Sequence, residues 1–205
     1  MRNHTSRRIA LSLFFLAEFV LPAIAEDKRS STPAATESPV SFVEARGERQ
    51  LRHLTYSGWR KLCFRPSPAA AICRTTIAGV SETGQEMLRI DLIEGDPQGG
   101  ARLQIYLPPM LFLEAGVRIA IDGEAAVRLP FAWCFSNTCV AAHAVDAAFI
   151  RRMKFGREIT LKVVDARVST VTTSLPLDRF AAVNRGEPTL TFGESLEAVA
   201  PQKQK

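Results

Sequence analysis

An all-β fold, an antiparallel sandwich or barrel, follows from three observations on the amino-acid sequence. Apolar residues recur at every second position in several short runs, the spacing of a strand with one buried face. Clusters of turn residues separate those runs. Four cysteines stand in two sequence-local pairs, Cys63 with Cys73 and Cys134 with Cys139, placed to staple neighbouring strands.

Each element follows from its residues. Residues 56–64 read as one strand and 70–80 as its partner, with Pro66, Ser67 and Pro68 in the bend. Leu88, Ile90 and Leu92 alternate with Arg89 and Asp91, and Leu103, Ile105 and Leu107 with Arg102, Gln104 and Tyr106. Between these runs lies the turn cluster 96–100, and Pro108-Pro109 ends the second. Val117, Ile119 and Ile121 form a further strand. Asp122-Gly123 then joins it to a strand at 125–129, the strongest hairpin signal in the chain. Ile159, Leu161 and Val163 give another strand. Two short helices interrupt the pattern. Asp146 is placed to cap one whose Phe149, Ile150 and Met153 share a face, and 177–183 forms the other. Both are expected to lie as lids over an open edge or end of the sheets.

The two ends differ in composition from the middle. Arg2, Arg7 and Arg8 precede the apolar stretch 9–20, Pro22 breaks it, and Ala23-Ile24-Ala25 has the small-x-small pattern of a signal-peptidase site. Cleavage is expected after Ala25, leaving Glu26 as the new terminus. Residues 26–54 read as a flexible leader, 55–184 as one folded domain, and 185–205 as a disordered tail. No later stretch approaches 18 apolar residues, so no transmembrane segment is expected in the mature chain. Removal of 1–25 takes away three arginines and one glutamate and leaves 23 basic and 20 acidic residues, well mixed along the chain. A nucleic-acid partner is therefore not expected.

Export into an oxidising compartment makes disulfides the expected state of all four cysteines. Nearest-neighbour pairing would close a hairpin end at Cys63 and Cys73, and the loop Phe135-Ser-Asn-Thr between Cys134 and Cys139. The spacing of Cys63 and Cys73 does not suit a four-cysteine zinc site, and there is no C-x-x-C redox motif. Trp59 and Trp133 sit near the two pairs. Each indole is expected to pack against the core and its disulfide, the alternative being an exposed aromatic platform.

No catalytic or cofactor motif emerges. His53 and His143 are the only histidines after residue 25, and His143 with Asp146 lacks any serine selected by a nucleophile elbow. There is no H-E-x-x-H, calcium loop or phosphate-binding loop. Glu82, Glu86 and Glu94 read as solvating carboxylates beside a strand, and Asp165 with Arg167 as a turn. No catalytic residue, metal ligand or cofactor is assigned, and the chain is expected not to be an enzyme.

The ordered motifs resemble the invasion-associated locus B proteins. Gly58-Trp59 with Cys63 and Cys73, then Leu103-Gln-Ile-Tyr-Leu-Pro-Pro, carry the likeness. So do Leu113-Glu-Ala-Gly-Val-Arg-Ile-Ala-Ile-Asp-Gly, Leu129-Pro-Phe-Ala-Trp-Cys-Phe-Ser-Asn-Thr-Cys-Val, and Ser174-Leu-Pro-Leu-Asp-Arg-Phe. The resemblance implies an immunoglobulin-like β-sandwich exported by a Gram-negative bacterium, in the periplasm or secreted, without established catalytic residues. Export, the absence of catalytic motifs and this resemblance together lead to the expectation of a protein that works by binding, with an envelope component, another protein or a host surface as partner. Contact would be made through strand edges or the loops at one end. A small-ligand carrier with an apolar pocket inside the sandwich is the alternative, and a periplasmic hydrolase a more distant one. The sequence assigns no ligand-binding residue and no oligomeric state.

Overall fold

The computed structural model describes residues 45–193, apart from 52, 68–69 and 96–99, and a further two-residue strand at Ala198–Val199. The signal, the cleavage point at Ala25 and Glu26, most of the leader, and turn residues 96–99 lie outside the described residues. In chain order the elements are β1 (Gly47–Gln50), β2 (Thr55–Tyr56), β3 (Arg60–Ser67), β4 (Ala70–Val80), β5 (Glu86–Glu94), β6 (Ala101–Leu107), a 3-10 turn (Leu113–Ala115), β7 (Val117–Ile121), β8 (Val127–Leu129), β9 (Phe131–Cys134), β10 (Cys139–Val145), α1 (Ala147–Phe155), β11 (Glu158–Val164), β12 (Ser169–Pro176), α2 (Phe180–Arg185), β13 (Leu190–Phe192) and β14 (Ala198–Val199).

The strands form two sheets packed as a sandwich. The smaller runs β1-β12-β11-β7-β8, and the larger runs β14-β13-β3-β4-β5-β6-β10-β9, with β2 also on β4. Alternation decides which side chains meet between them. Leu88, Ile90 and Leu92 of β5 and Leu103, Ile105 and Leu107 of β6 face Val117, Ile119 and Ile121 of β7 and Ile159, Leu161 and Val163 of β11 in one core. Ile90, Leu92, Leu103, Ile105, Val117 and Ile159 are all 0% exposed, so the space between the sheets is filled with side chains. The internal cavity required of a ligand carrier is not what these residues build.

Asp146 caps α1 by accepting the Phe149 N–H at 2.7 Å, and Phe149 and Met153 turn into the core. In α2, Phe180 is buried, and Asn184 reaches across to Thr75 Oγ1 at 3.2 Å and Glu94 Oε2 at 2.5 Å. Both helices pack on the sheets as lids.

The structure differs from the sequence expectation at several places, among them the second helix, which runs Phe180–Arg185 rather than 177–183, and Pro66 and Ser67, which belong to β3 rather than to the bend. The first strand breaks at Ser57-Gly58-Trp59, because Gly58 has φ +76° and the chain turns Trp59 inward. The strand expected at 125–129 starts at Val127. The leader expected to run to residue 54 contributes β1, which is exposed at all four positions and is held on β12 by backbone pairing. The tail expected from 185 contributes β13, which pairs with β3 from Leu190↔Leu62 to Phe192↔Phe64. Both added pairs are parallel and lie at sheet margins.

Glu94 also departs from the solvating role expected of it, since it accepts the Asn184 amide, and Glu86 lies 3.4 Å from Arg89 Nη1.

Candidate binding groove

Both cysteine pairs are joined. Cys63 bonds to Cys73 across β3 and β4, and Cys134 to Cys139 across β9 and β10, with no free cysteine. In both cases the sheet register puts the two residues directly opposite each other. The tryptophans part company. Trp59 is buried, donates its indole N–H to Pro176 O at 3.0 Å, and meets the Phe180 ring edge-on at 4.8 Å. Trp133 is 40% exposed.

The residues considered for catalysis are not drawn into one site. His143 is exposed on β10. Asp146 is taken up by capping α1. Among the described residues, no group of three or more His, Cys, Asp or Glu is placed to hold a metal ion. Asp122 closes its hairpin onto β11, accepting from Arg157 N at 2.9 Å and Glu158 N at 3.0 Å. Those backbone hydrogen bonds hold its carboxyl below the usual carboxylate range.

Among the described residues, a concavity lies at one end of the sandwich, where β6 leaves the larger sheet and β11 turns into β12 in the smaller. It is an open groove of about 590 Å³. Pro108 and Pro109 end β6 because neither has an N–H for the ladder. Met110 follows at φ +72° and is 76% exposed. A side chain with a Cβ is disfavoured in that left-handed region. Backbone bonds on either side keep it there: Ala166 N donates to Met110 O at 2.9 Å, and Phe112 N to Val164 O at 2.8 Å.

Apolar walls come from Leu51, Leu107, Leu111, Val163 and Val171, and the rim carries Arg49, Asp165 and Arg167. Asp165 organises that rim. Its Oδ1 accepts from Ser169 N and Arg167 N, each at 3.0 Å, and its Oδ2 accepts from Arg49 Nη2 at 3.1 Å. The Ser169 N–H above all, with the Arg49 guanidinium and the Arg167 N–H, holds the Asp165 carboxyl below its ordinary range against the opposing effect of desolvation. Asp165 is therefore occupied, while the Arg167 side chain has no acidic partner among the described residues. An apolar floor beside a cation suits a segment that carries both a hydrophobic side chain and a carboxylate.

Sequence reasoning read Asp165 and Arg167 as a turn, which they form, and assigned them no binding role. The groove walls come from residues far apart in the chain, so no local spacing marks them. The one local mark nearby was Pro108-Pro109, which ends β6 just before Met110.

Comparison with known proteins agrees with this architecture. Residues 59–188 match the family model described as Invasion associated locus B (IalB) protein. Two curated relatives, the invasion protein B homologs of Brucella abortus strain 2308 and of Brucella abortus biovar 1 strain 9-941, are each 28% identical over 109 residues. Those alignments span 52% of this chain and 61% of each relative. The crystal structure of invasion associated protein B from Bartonella henselae superposes with a TM-score of 0.54 at 16% identity, covering 63% of this chain and 91% of that one. At that identity the likeness is one of fold. The family match spans more than half of the chain and takes in the Trp59 motif, both cysteine pairs, the Asp122-Gly123 hairpin and the segment ending at Phe180, so this chain belongs to the invasion-associated locus B family.

Proposed function

We propose that this protein works outside the cytoplasm by binding, and that the groove between Met110 and Arg167 is where a partner protein of the cell envelope docks. The observation that carries the reading is a solvent-open apolar groove with Met110 held 76% exposed at its lip and Arg167 on its rim. Large apolar side chains fixed in solvent at a concave surface mark contact sites. Two disulfides and family membership support the location. Among the described residues no helix is long and apolar enough to cross a membrane. Removal of residues 1–25 after Ala25 belongs to the same proposal. A role in invasion of host cells is suggested only by the printed names of the relatives.

The segment expected in the groove is extended, with an apolar residue against Leu107 and Val163 and an acid beside Arg167. Crosslinking in intact cells, followed by mass spectrometry, tests this. The unaltered protein is expected to give a reproducible protein adduct. Met110→Asp, which puts a charge at an already exposed position, is expected to reduce that adduct about tenfold without shifting the unfolding midpoint. An unchanged adduct would place the contact elsewhere. Turnover of an envelope substrate without any specific adduct would favour catalysis over binding.

A further inference from the structure

The outward face of the larger sheet carries a second feature, separate from the groove. Register fixes which residues share it, because residues directly opposite on paired strands lie on one face. One row runs Arg60, Thr76, Asp91, Gln104, Ala142 across β3, β4, β5, β6 and β10. The next runs Leu62, Arg74, Ile93, Arg102. On the other side lies Arg89, Tyr106, Val140, Trp133. Four adjacent strands thus each present one arginine to the same face.

At the centre Asp91 is 0% exposed. Thr76 Oγ1 donates to its Oδ1 at 2.5 Å. Its Oδ2 lies 3.6 Å from Arg74 Nη1 and 3.6 Å from Arg89 Nε, and neither Oδ2 nor that Nε completes a hydrogen bond. A carboxylate taken out of water needs cations close by, and an ionised carboxylate in turn fixes those cations. Asp91 is therefore a positioning residue that draws Arg74 and Arg89 together over itself. The Arg89 guanidinium also lies 3.8 Å from the centroid of the Tyr106 ring. Arg60 and Arg102 have no acidic partner among the described residues, and Arg102 is exposed. Asp91 and Glu86 balance only two of the four guanidiniums.

We propose that this face is a docking surface for an acidic polysaccharide, a glycan chain bearing repeated carboxylate, sulfate or phosphate groups. Charge complementarity supplies the first argument. Guanidiniums pair with such groups bidentately, and two here stand without a partner. The aromatic edge supplies the second. Trp133 is 40% exposed in the same row as Tyr106, and the apolar faces of sugar rings pack on aromatic rings beside the charged contacts. Leu62 and Ile93, the large aliphatic residues among the arginines, are partly buried within their strands, so charge rather than apolar insertion dominates this part of the face.

The experiment uses the oxidised protein lacking residues 1–25 and measures binding to heparin and to polygalacturonate. Neutral dextran, vesicles of phosphatidylcholine with phosphatidylglycerol, and single-stranded DNA serve as comparisons. Saturable binding to at least one acidic glycan is expected, weakening as salt rises. The double substitution Arg60→Glu with Arg102→Glu is expected to weaken it by about tenfold or more, with the unfolding midpoint unchanged. Arg60→Gln with Arg102→Gln, which adds no like-charge repulsion, keeps the test open if the first pair disturbs folding. Trp133→Ala is expected to weaken glycan binding at constant charge. Met110→Asp is expected to leave it unchanged, which separates this face from the groove. No binding to either acidic glycan would overturn the proposal. So would equal binding to vesicles or DNA, or glycan binding indifferent to the arginine substitutions.

Discussion

Replacement of Phe180 by alanine is expected to destabilise the domain by about 3–5 kcal/mol, read as a lower denaturation midpoint in urea. Phe180 is 0% exposed, and its ring abuts Trp59 edge-on at 4.8 Å. Trp59 is itself tied to Pro176 O through its indole N–H. The pair joins the start of the family segment to its end. Truncation leaves a cavity beneath α2 and exposes the indole. It also loosens a helix whose C-terminal half is held by Lys61, which donates to Asn184 O at 2.9 Å and Gly186 O at 3.0 Å. Phe180→Leu keeps most of the volume and is expected to cost clearly less. Equal midpoints for the alanine variant and the unaltered chain would mean that α2 is not part of the cooperative core.

Loss of the disulfides is expected to be the second large effect. Cys63 and Cys73 are ten residues apart, and Cys134 and Cys139 five. In the chain-entropy model rings of these sizes contribute roughly 2–3 kcal/mol each. Whole domains are stable by only about 5–15 kcal/mol, so removing both consumes much of the margin. Denaturation with and without reductant, and of the two paired Cys→Ala variants, measures each contribution. The paired variants are expected to fall by similar amounts and, because the links lie at different places, to add. A reduced chain as stable as the oxidised one would show that the links are incidental to the fold.

How far these features could be read from the sequence depended on whether their cause was local. Strands β5, β6, β7 and β11 announced themselves because one face is buried and the other is not, and α1 because Asp146 precedes Phe149 and Met153 at helical spacing. β1 had no such mark. Its four residues are exposed, so no apolar alternation marks it, and it is held by backbone pairing to β12 with polar contacts such as Thr172 Oγ1 to Glu48 Oε1 at 3.0 Å. β13 was hidden for a similar reason, being short and paired to a strand more than a hundred residues earlier. The groove is a product of topology, since Leu51, Leu107 and Val163 meet only after the sheets pack. Asp91 was misleading. Alternation puts it on the outward face, where polar residues are normally solvated, yet it is 0% exposed with two arginines within 3.6 Å. Whether an outward position is wet depends on neighbouring strands, which periodicity does not report. Trp133 and Trp59 show the same limit: one adjoins Cys134, the other precedes Cys63 by four residues, and only Trp59 is buried.

The proposed function requires a chain that leaves the cytoplasm with both of its local disulfides formed. Non-reducing peptide mapping of the protein isolated from its own cells tests this most directly. The expected result is an N-terminus at Glu26, with one linked peptide pair joining Cys63 to Cys73 and another link joining Cys134 to Cys139. Free thiols at all four positions, or a polypeptide still carrying residues 1–25 in the cytoplasmic fraction, would contradict it.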